Sequence, residues 1–291
     1  MAYLGNPTNT NEILKKYNLT AQKRYGQNFL IDSNILEKIV MAAEIDKEDT
    51  VLEIGPGIGT LTQFLCESAG KVIAVEIDRQ MIPVLEDTLS EYDNVKIINE
   101  DVLKVNFSEL VEKENDGKPI KVVANLPYYI TTPIIMGLLE MDVPIESITV
   151  MIQKEVAVRM QEGPGSKDYG ALSLAVEFYS KAEVKMTVSP NCFIPRPNVD
   201  SAVIRLDKYK NPPVEVKDRT LMFRIIKGAF EQRRKTLTNA LSHSSAYRTD
   251  KAKIEEALVK MGKNVNIRWI LILIQSYYGT VDIRSRNKAI R

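Results

Sequence analysis

From residue 50 onward the chain alternates short apolar runs with stretches in which apolar residues recur at helical spacing. The runs at 50–54, 71–77, 95–99, 121–124 and 147–152 are predicted as strands, and the segments 61–68, 80–90, 107–113 and 132–140 between them as helices. Such alternation is the pattern of an α/β fold built on a doubly wound parallel sheet. Upstream, residues 1–11 are polar and read as frayed, and 12–17 as a short amphipathic turn. Asp32 and Ser33 can cap a helix over 34–43 with Ile35, Leu36, Ile39 and Val40 facing inward. Downstream, a helix is expected at 155–161, an exposed and mobile Gly-rich loop at 163–170, and a helix at 172–179. The β-rich stretches 183–188 and 201–206 are expected to complete the sheet as a hairpin. Residues 208–213, with two prolines, read as a linker. One long helix over 219–241 and another over 251–260 then follow.

Composition narrows the function classes. At 26% charged and 44% hydrophobic, the 291 residues are ordinary for a soluble globular protein of two domains. No apolar run is long enough to span a bilayer and the first twenty residues are not signal-like, so a cytoplasmic location is expected. Two cysteines, Cys66 and Cys192, give neither a metal spacing nor a disulfide framework, and the single histidine, His243, argues against histidine-based metal or nucleophile chemistry. No metal is expected. The charge is unevenly spread: residues 208–291 carry 19 Lys or Arg against 7 Asp or Glu, and residues 1–207 carry 20 against 31. The expected division is therefore a catalytic domain over 1–207 and a basic helical domain over 208–291 that docks a polyanion.

The candidate chemistry sits at strand ends. Asn125-Leu126-Pro127-Tyr128 closes the fourth run; Asn supplies a carbonyl acceptor, Pro removes a backbone donor, and Tyr offers a ring. Together they suit a planar, weakly basic amino group, although the same four residues also suit a plain strand end. Glu53-Ile54-Gly55-Pro56-Gly57-Ile58-Gly59 follows the first run, and its glycines permit a tight turn and close approach of a ligand. A dinucleotide fingerprint has its glycines at another spacing, and Glu53 would repel a pyrophosphate while favouring a cofactor that carries an ammonium group. S-adenosylmethionine fits better than a nicotinamide dinucleotide. Glu76, ending the second run, can accept from both hydroxyls of a ribose, and Asp101, after the third, from an adenine amino group. With that cofactor, hydrogen bonds from the exocyclic amine of an adenine to Asn125 would free the nitrogen lone pair for attack on the sulfonium methyl. Tyr128 would stack on an everted base, with Phe193 a candidate for its other face. Lys23, Arg24 and Arg196 lie in segments mixing cations with flexible or stiff backbone, and Arg233, Arg234 and Lys235 would fan around the long helix to grip phosphates.

The set Gly26 to Leu30, Glu53 to Gly59, Asn125 to Tyr129, Pro195 to Ser201 and Gln232 to Thr236 resembles the bacterial small-subunit ribosomal RNA adenine dimethyltransferases over about residues 12–268. The resemblance implies a Rossmann-like S-adenosylmethionine-dependent sheet with a small C-terminal helical domain, acting as a monomer. It implies that two adjacent adenosines in a hairpin loop near the 3′ end of that RNA are each methylated twice at N6 in an immature small subunit. It also implies cofactor contacts at Asn28, Leu30, Gly55, Glu76, Asp101 and Asn125, with residues 125–128 as the catalytic motif. The alternatives are a large-subunit adenine methyltransferase of the macrolide-resistance type, an assembly factor acting mainly by binding, and a nicotinamide-dependent oxidoreductase. After Arg268 the text departs from the family pattern, as a shifted reading frame or a foreign tail would.

Overall fold

The computed structural model describes residues 3–19, 26–232 and 234–267. They divide into two compact units, one drawn from Met1–Gln161 and Tyr179–Asn211, the other from Glu162–Phe178 and Pro212–Arg291.

In the first unit, helix α1 (Pro7–Lys16) and the two-residue strand β1 (Phe29–Leu30) precede α2 (Ser33–Ala43). The alternation then runs β2 (Thr50–Ile54), α3 (Thr60–Ser68), β3 (Lys71–Glu76), α4 (Ile82–Thr88), β4 (Val95–Asn99), α5 (Phe107–Asn115), β5 (Ile120–Asn125), α6 (Thr131–Glu140), β6 (Ile145–Gln153) and α7 (Lys154–Gln161). Past α8 (Ala171–Tyr179), which belongs to the second unit up to Phe178, come β7 (Ser180–Val188), the short β8 (Phe193–Ile194) and β9 (Ser201–Lys208). The seven-stranded sheet has the order β4-β3-β2-β5-β6-β9-β7, parallel from β4 to β6, with β9 antiparallel to both β6 and β7. Every residue of β2 is buried, as a strand covered by helices on both faces requires.

The chain winds outward from β2 in one direction through β3 and β4, and in the other through β5 and β6. The crevice at the carboxyl ends of β2 and β5 is thus the topological switch point, where ligands of such sheets bind. Register makes those ends level. Ile54 pairs with both Val75 and Ala124, and Glu76 pairs with Asn99. The residues just beyond these pairs, Gly55, Glu100 and Asn125, therefore open onto one edge.

Three expectations are corrected. Residues 1–11 are not frayed where described: Asn6 caps α1 by accepting from the Asn9 N–H at 2.9 Å, Pro7 takes the first helical position, and the fully buried Thr10 hydroxyl donates to the Leu4 carbonyl at 2.7 Å. The 163–170 loop is not wholly exposed, because Tyr169 is 2% exposed. It packs in one apolar cluster with Leu174, Ile226, Ala229, Leu241, Ile254 and Leu258, which is why 162–178 joins the second unit rather than falling with 1–207. The helix expected over 219–241 is two, α9 (Arg219–Glu231) and α10 (Leu237–Ser242), followed by α11 (Lys251–Lys260). Thr236 forces the restart: in extended backbone, it accepts from the Asn239 N–H through its side chain and so begins a new helix. Among the described residues no helix is long and apolar enough to cross a membrane.

Candidate cofactor and substrate cleft

Strand β2 ends in a buried acid. Glu53 is 1% exposed and its Oε2 has no hydrogen-bond partner. Burial pushes its carboxyl up to about 8; the Thr62 hydroxyl pulls the other way, and the neighbouring Glu76 adds to the rise. The turn that follows is held by the Gly55 N–H donating to the Val75 carbonyl at 2.9 Å, so that N–H is already used. Gly57 has φ +60, and a Cβ there would stand 3.3 Å from the Phe29 ring. Its N–H donates at 3.0 Å to Glu76 Oε2, and the Asp78 N–H donates at 2.8 Å to Glu76 Oε1. Each Glu76 oxygen is therefore fixed by one backbone donor and keeps a second lone pair. Burial raises the Glu76 carboxyl above its ordinary range, while those two N–H groups pull the other way. Asp101 is set in the same manner, its Oδ1 accepting from the Leu103 N–H at 3.0 Å.

Across the crevice, Asn125 ends β5. Its Nδ2 donates to the Asn28 carbonyl at 3.1 Å, and Asn28 in turn donates from its own Nδ2 to the Gly26 carbonyl at 3.1 Å. With one Nδ2 hydrogen bonded in this way the amide plane is held, and Oδ1 is an oriented acceptor. The Pro127 carbonyl accepts from the Ile130 N–H at 3.2 Å and the Thr131 hydroxyl at 3.0 Å, which fixes the loop as it enters α6. Tyr128 is half-buried, and its hydroxyl shares a 2.7 Å hydrogen bond with the buried Ser201 at the start of β9.

One cleft collects nearly all the expected residues. Asn28, Leu30, Glu53, Gly55, Gly57, Glu76 and Asp101 line it together with Asn125, Leu126, Pro127 and Tyr128. Phe193 is the exception and a correction. It is 2% exposed, pairs with Leu30 across the β1–β8 ladder and packs into the core beside Leu36, Val188 and Val203. A bulky aromatic beside two prolines reads equally as a cleft wall or as core, and here it is core. Arg196 is exposed, as are Arg234 and Lys235. The last two lie in the turn between α9 and α10 and do not fan around a helix, while Lys23, Arg24 and Arg233 lie outside the described residues. Gly26 and Tyr129, which the sequence places within motifs without giving either a role of its own, also line the cleft. The Tyr-Tyr pair at 128–129 was the available signal.

The buried Glu53 predicts a pH dependence of stability. A carboxyl whose folded value is raised from the ordinary 4.5 to about 8 holds its proton more tightly in the native state. Its contribution is therefore fully present below about pH 4.5 and is lost as pH rises toward 8. Denaturant titrations of the full chain between pH 5 and about 8.5 are expected to show stability falling with pH. Glu53→Gln should flatten that slope. An unchanged slope in the variant would mean that Glu53 is ionised throughout.

The chain is similar to known proteins in sequence and in fold. Residues 18–270 match the model of the family described as Ribosomal RNA adenine dimethylase. A Ribosomal RNA small subunit methyltransferase A of Lachnoclostridium phytofermentans is 59% identical over 284 residues, spanning 97% of this chain and 98% of its own. An alignment of that length continues past Arg268, which counts against an ending foreign to the family; the stretch itself lies outside the described residues. Among solved structures, a dimethyladenosine transferase from Plasmodium falciparum is 26% identical with a TM-score of 0.68, over 86% of this chain and 97% of its own. The 23S rRNA methyltransferase ErmE is 28% identical with a TM-score of 0.58, over 84% and 95%.

Proposed function

Since the chain belongs to the ribosomal RNA adenine dimethylase family, we propose that it is an S-adenosylmethionine-dependent methyltransferase acting on N6 of adenosines in small-subunit ribosomal RNA. Its substrates are two adjacent adenosines in a hairpin loop near the 3′ end, each taken to the dimethyl form. It works as a monomer in the cytoplasm, on the immature small subunit. Identity of 59% to a small-subunit enzyme against 28% to a 23S enzyme favours this target over the large subunit.

The cleft suits the cofactor by the chemistry of its donors and acceptors. Glu76, with one lone pair left on each oxygen, would hold the ribose hydroxyls, and Asp101 the adenine amino group. The unpartnered Glu53 Oε2 would face the ammonium end, and Gly57 keeps the turn clear of a side chain. When bound, S-adenosylmethionine supplies a methyl group on a cationic sulfur.

The observation that carries the reading is the orientation of Asn125. Its Oδ1 is the acceptor left over once Nδ2 is bonded to the Asn28 carbonyl, so it can take one proton of an adenine N6 amino group. The Pro127 carbonyl is already used twice within the loop, and the Leu126 carbonyl is the loop acceptor for the second proton. Two such acceptors draw the nitrogen toward tetrahedral geometry and localise its lone pair. Positioning and fixed dipoles then do the work, with the proton passing to solvent after transfer. Tyr128, held through Ser201, stacks the everted base.

The test is tritium transfer from labelled S-adenosylmethionine into small and large subunits, each isolated in an under-methylated state and assayed side by side, followed by mapping of the labelled bases. Label is expected in two neighbouring adenosines near the 3′ end. Label confined to large subunits would overturn the reading.

A further inference from the structure

Residues 128 and 129 are both tyrosines, and the fold treats them oppositely. Tyr128 is half-buried and tied by its hydroxyl to Ser201. Tyr129 is 63% exposed, more than any other aromatic ring among the described residues, and no hydrogen bond or ring contact there holds it. It nevertheless lines the same cleft as Asn125 and Tyr128. A single exposed ring is ordinary on a protein surface; this one stands at the rim of the substrate cleft, where a ligand can cover it.

The backbone beneath it is fixed. The Pro127 carbonyl accepts from both the Ile130 N–H and the Thr131 hydroxyl, closing the turn on which residue 129 sits. One edge of the ring is seated against Gly26. A Cβ at residue 26 would stand 3.3 Å from Tyr129 Cδ1 and 3.3 Å from the Pro127 Cβ, and the φ of +59 already favours glycine there. The ring thus has a fixed base, a constrained approach on one side and open solvent elsewhere.

We propose that Tyr129 is a second stacking platform, which receives the nucleobase next to the adenosine being methylated. The proposal rests on the function argued above. Everting one base from a hairpin loop removes the stacking partner of its neighbour, and an aromatic ring one residue beyond the platform for the target can replace that partner. Every base has a π-face, so the platform accepts the neighbour whether or not it has itself been methylated. That tolerance is what two successive reactions on adjacent adenosines require.

The full chain can be assayed on small subunits reconstituted from transcribed RNA and ribosomal proteins. Tyr129→Ala should raise KM for the particle on the order of tenfold, with kcat falling much less and the calorimetric Kd for S-adenosylmethionine unmoved. Tyr129→Phe, which keeps the ring and drops the hydroxyl, should restore most of the loss. Particles carrying an abasic residue beside a single target adenosine should penalise the wild-type enzyme by the same factor and the Ala variant hardly at all. A wild-type KM in the Ala variant, or an equal abasic penalty in both enzymes, would overturn the platform while leaving the reaction in place. Absence of methylation by the wild type on intact particles would overturn both.

Discussion

Asn125→Ala should lower methyl transfer on the order of 10³-fold, the cost of removing a preorganised acceptor from the point where charge changes. The structure explains why no other group in the loop substitutes. The Asn125 Oδ1 is oriented only because Nδ2 is anchored on the Asn28 carbonyl, and the Pro127 carbonyl is consumed by the Ile130 N–H and the Thr131 hydroxyl. Asn125→Asp is expected to do no better. A carboxylate keeps an acceptor but loses the donor to Asn28, so its orientation is lost and its charge faces a bare carbonyl. Binding to immature small subunits, measured by filter retention, should change little in either variant, because one amide at the bottom of a cleft adds little to a contact made largely through phosphates. Loss of binding in parallel with loss of transfer would show that Asn125 holds RNA rather than activating it. The same pair of measurements separates an enzyme from an assembly factor that acts by binding alone.

Much of this arrangement was legible in the sequence because a parallel sheet writes itself plainly. Strands β2 and β5 are covered on both faces, so they appear as mostly apolar runs, and the residues that stop each run, Gly55 and Asn125, are the ones at the cleft. The acids stood out by position, Glu53 just ahead of the glycine turn and Glu76 at the end of the second run. Other features depend on particular side-chain contacts. Thr10 looks polar and is buried because its hydroxyl finds the Leu4 carbonyl, although Asn6-Pro7 carried the capping signal. Tyr169 lies in a glycine-rich stretch, and apart from Leu174 the buried partners it packs with in the second unit come between 226 and 258. The break after Glu231 falls in six consecutive polar residues, 231–236, which a helical reading spans as one exposed face, and the restart is marked by the Thr236 side-chain cap, which periodicity does not weigh. Phe193 is ambiguous for a deeper reason: aromatic residues serve core and cleft alike, and only the pairing of β8 with β1 turns this one inward.

Glu76→Ala should weaken binding of S-adenosylmethionine about 100-fold. A hydrogen bond to a charged acceptor contributes about 1.5–3 kcal/mol, or roughly tenfold to 150-fold, and this carboxylate has a free lone pair on each of two oxygens. The loss has a second source in the empty site, where the Gly57 and Asp78 N–H groups would be left without their acceptor and the turn would loosen. Glu76→Gln is no conservative change here. Its oxygen can serve one of those N–H groups, but its amide nitrogen then points its own hydrogens at the other, donor against donor. The Gln variant should therefore lose nearly as much affinity as the Ala variant and melt at a lower temperature than wild type. Calorimetry with S-adenosylhomocysteine distinguishes the cause. Glu76 acting on the ribose, which both molecules share, predicts that the two affinities fall by the same factor. Were Glu76 instead a counter-charge for the sulfonium, S-adenosylmethionine alone would suffer. Affinities within about threefold of wild type in a folded Glu76→Ala chain would remove this residue from the cofactor site, since that is below the value of even one such bond.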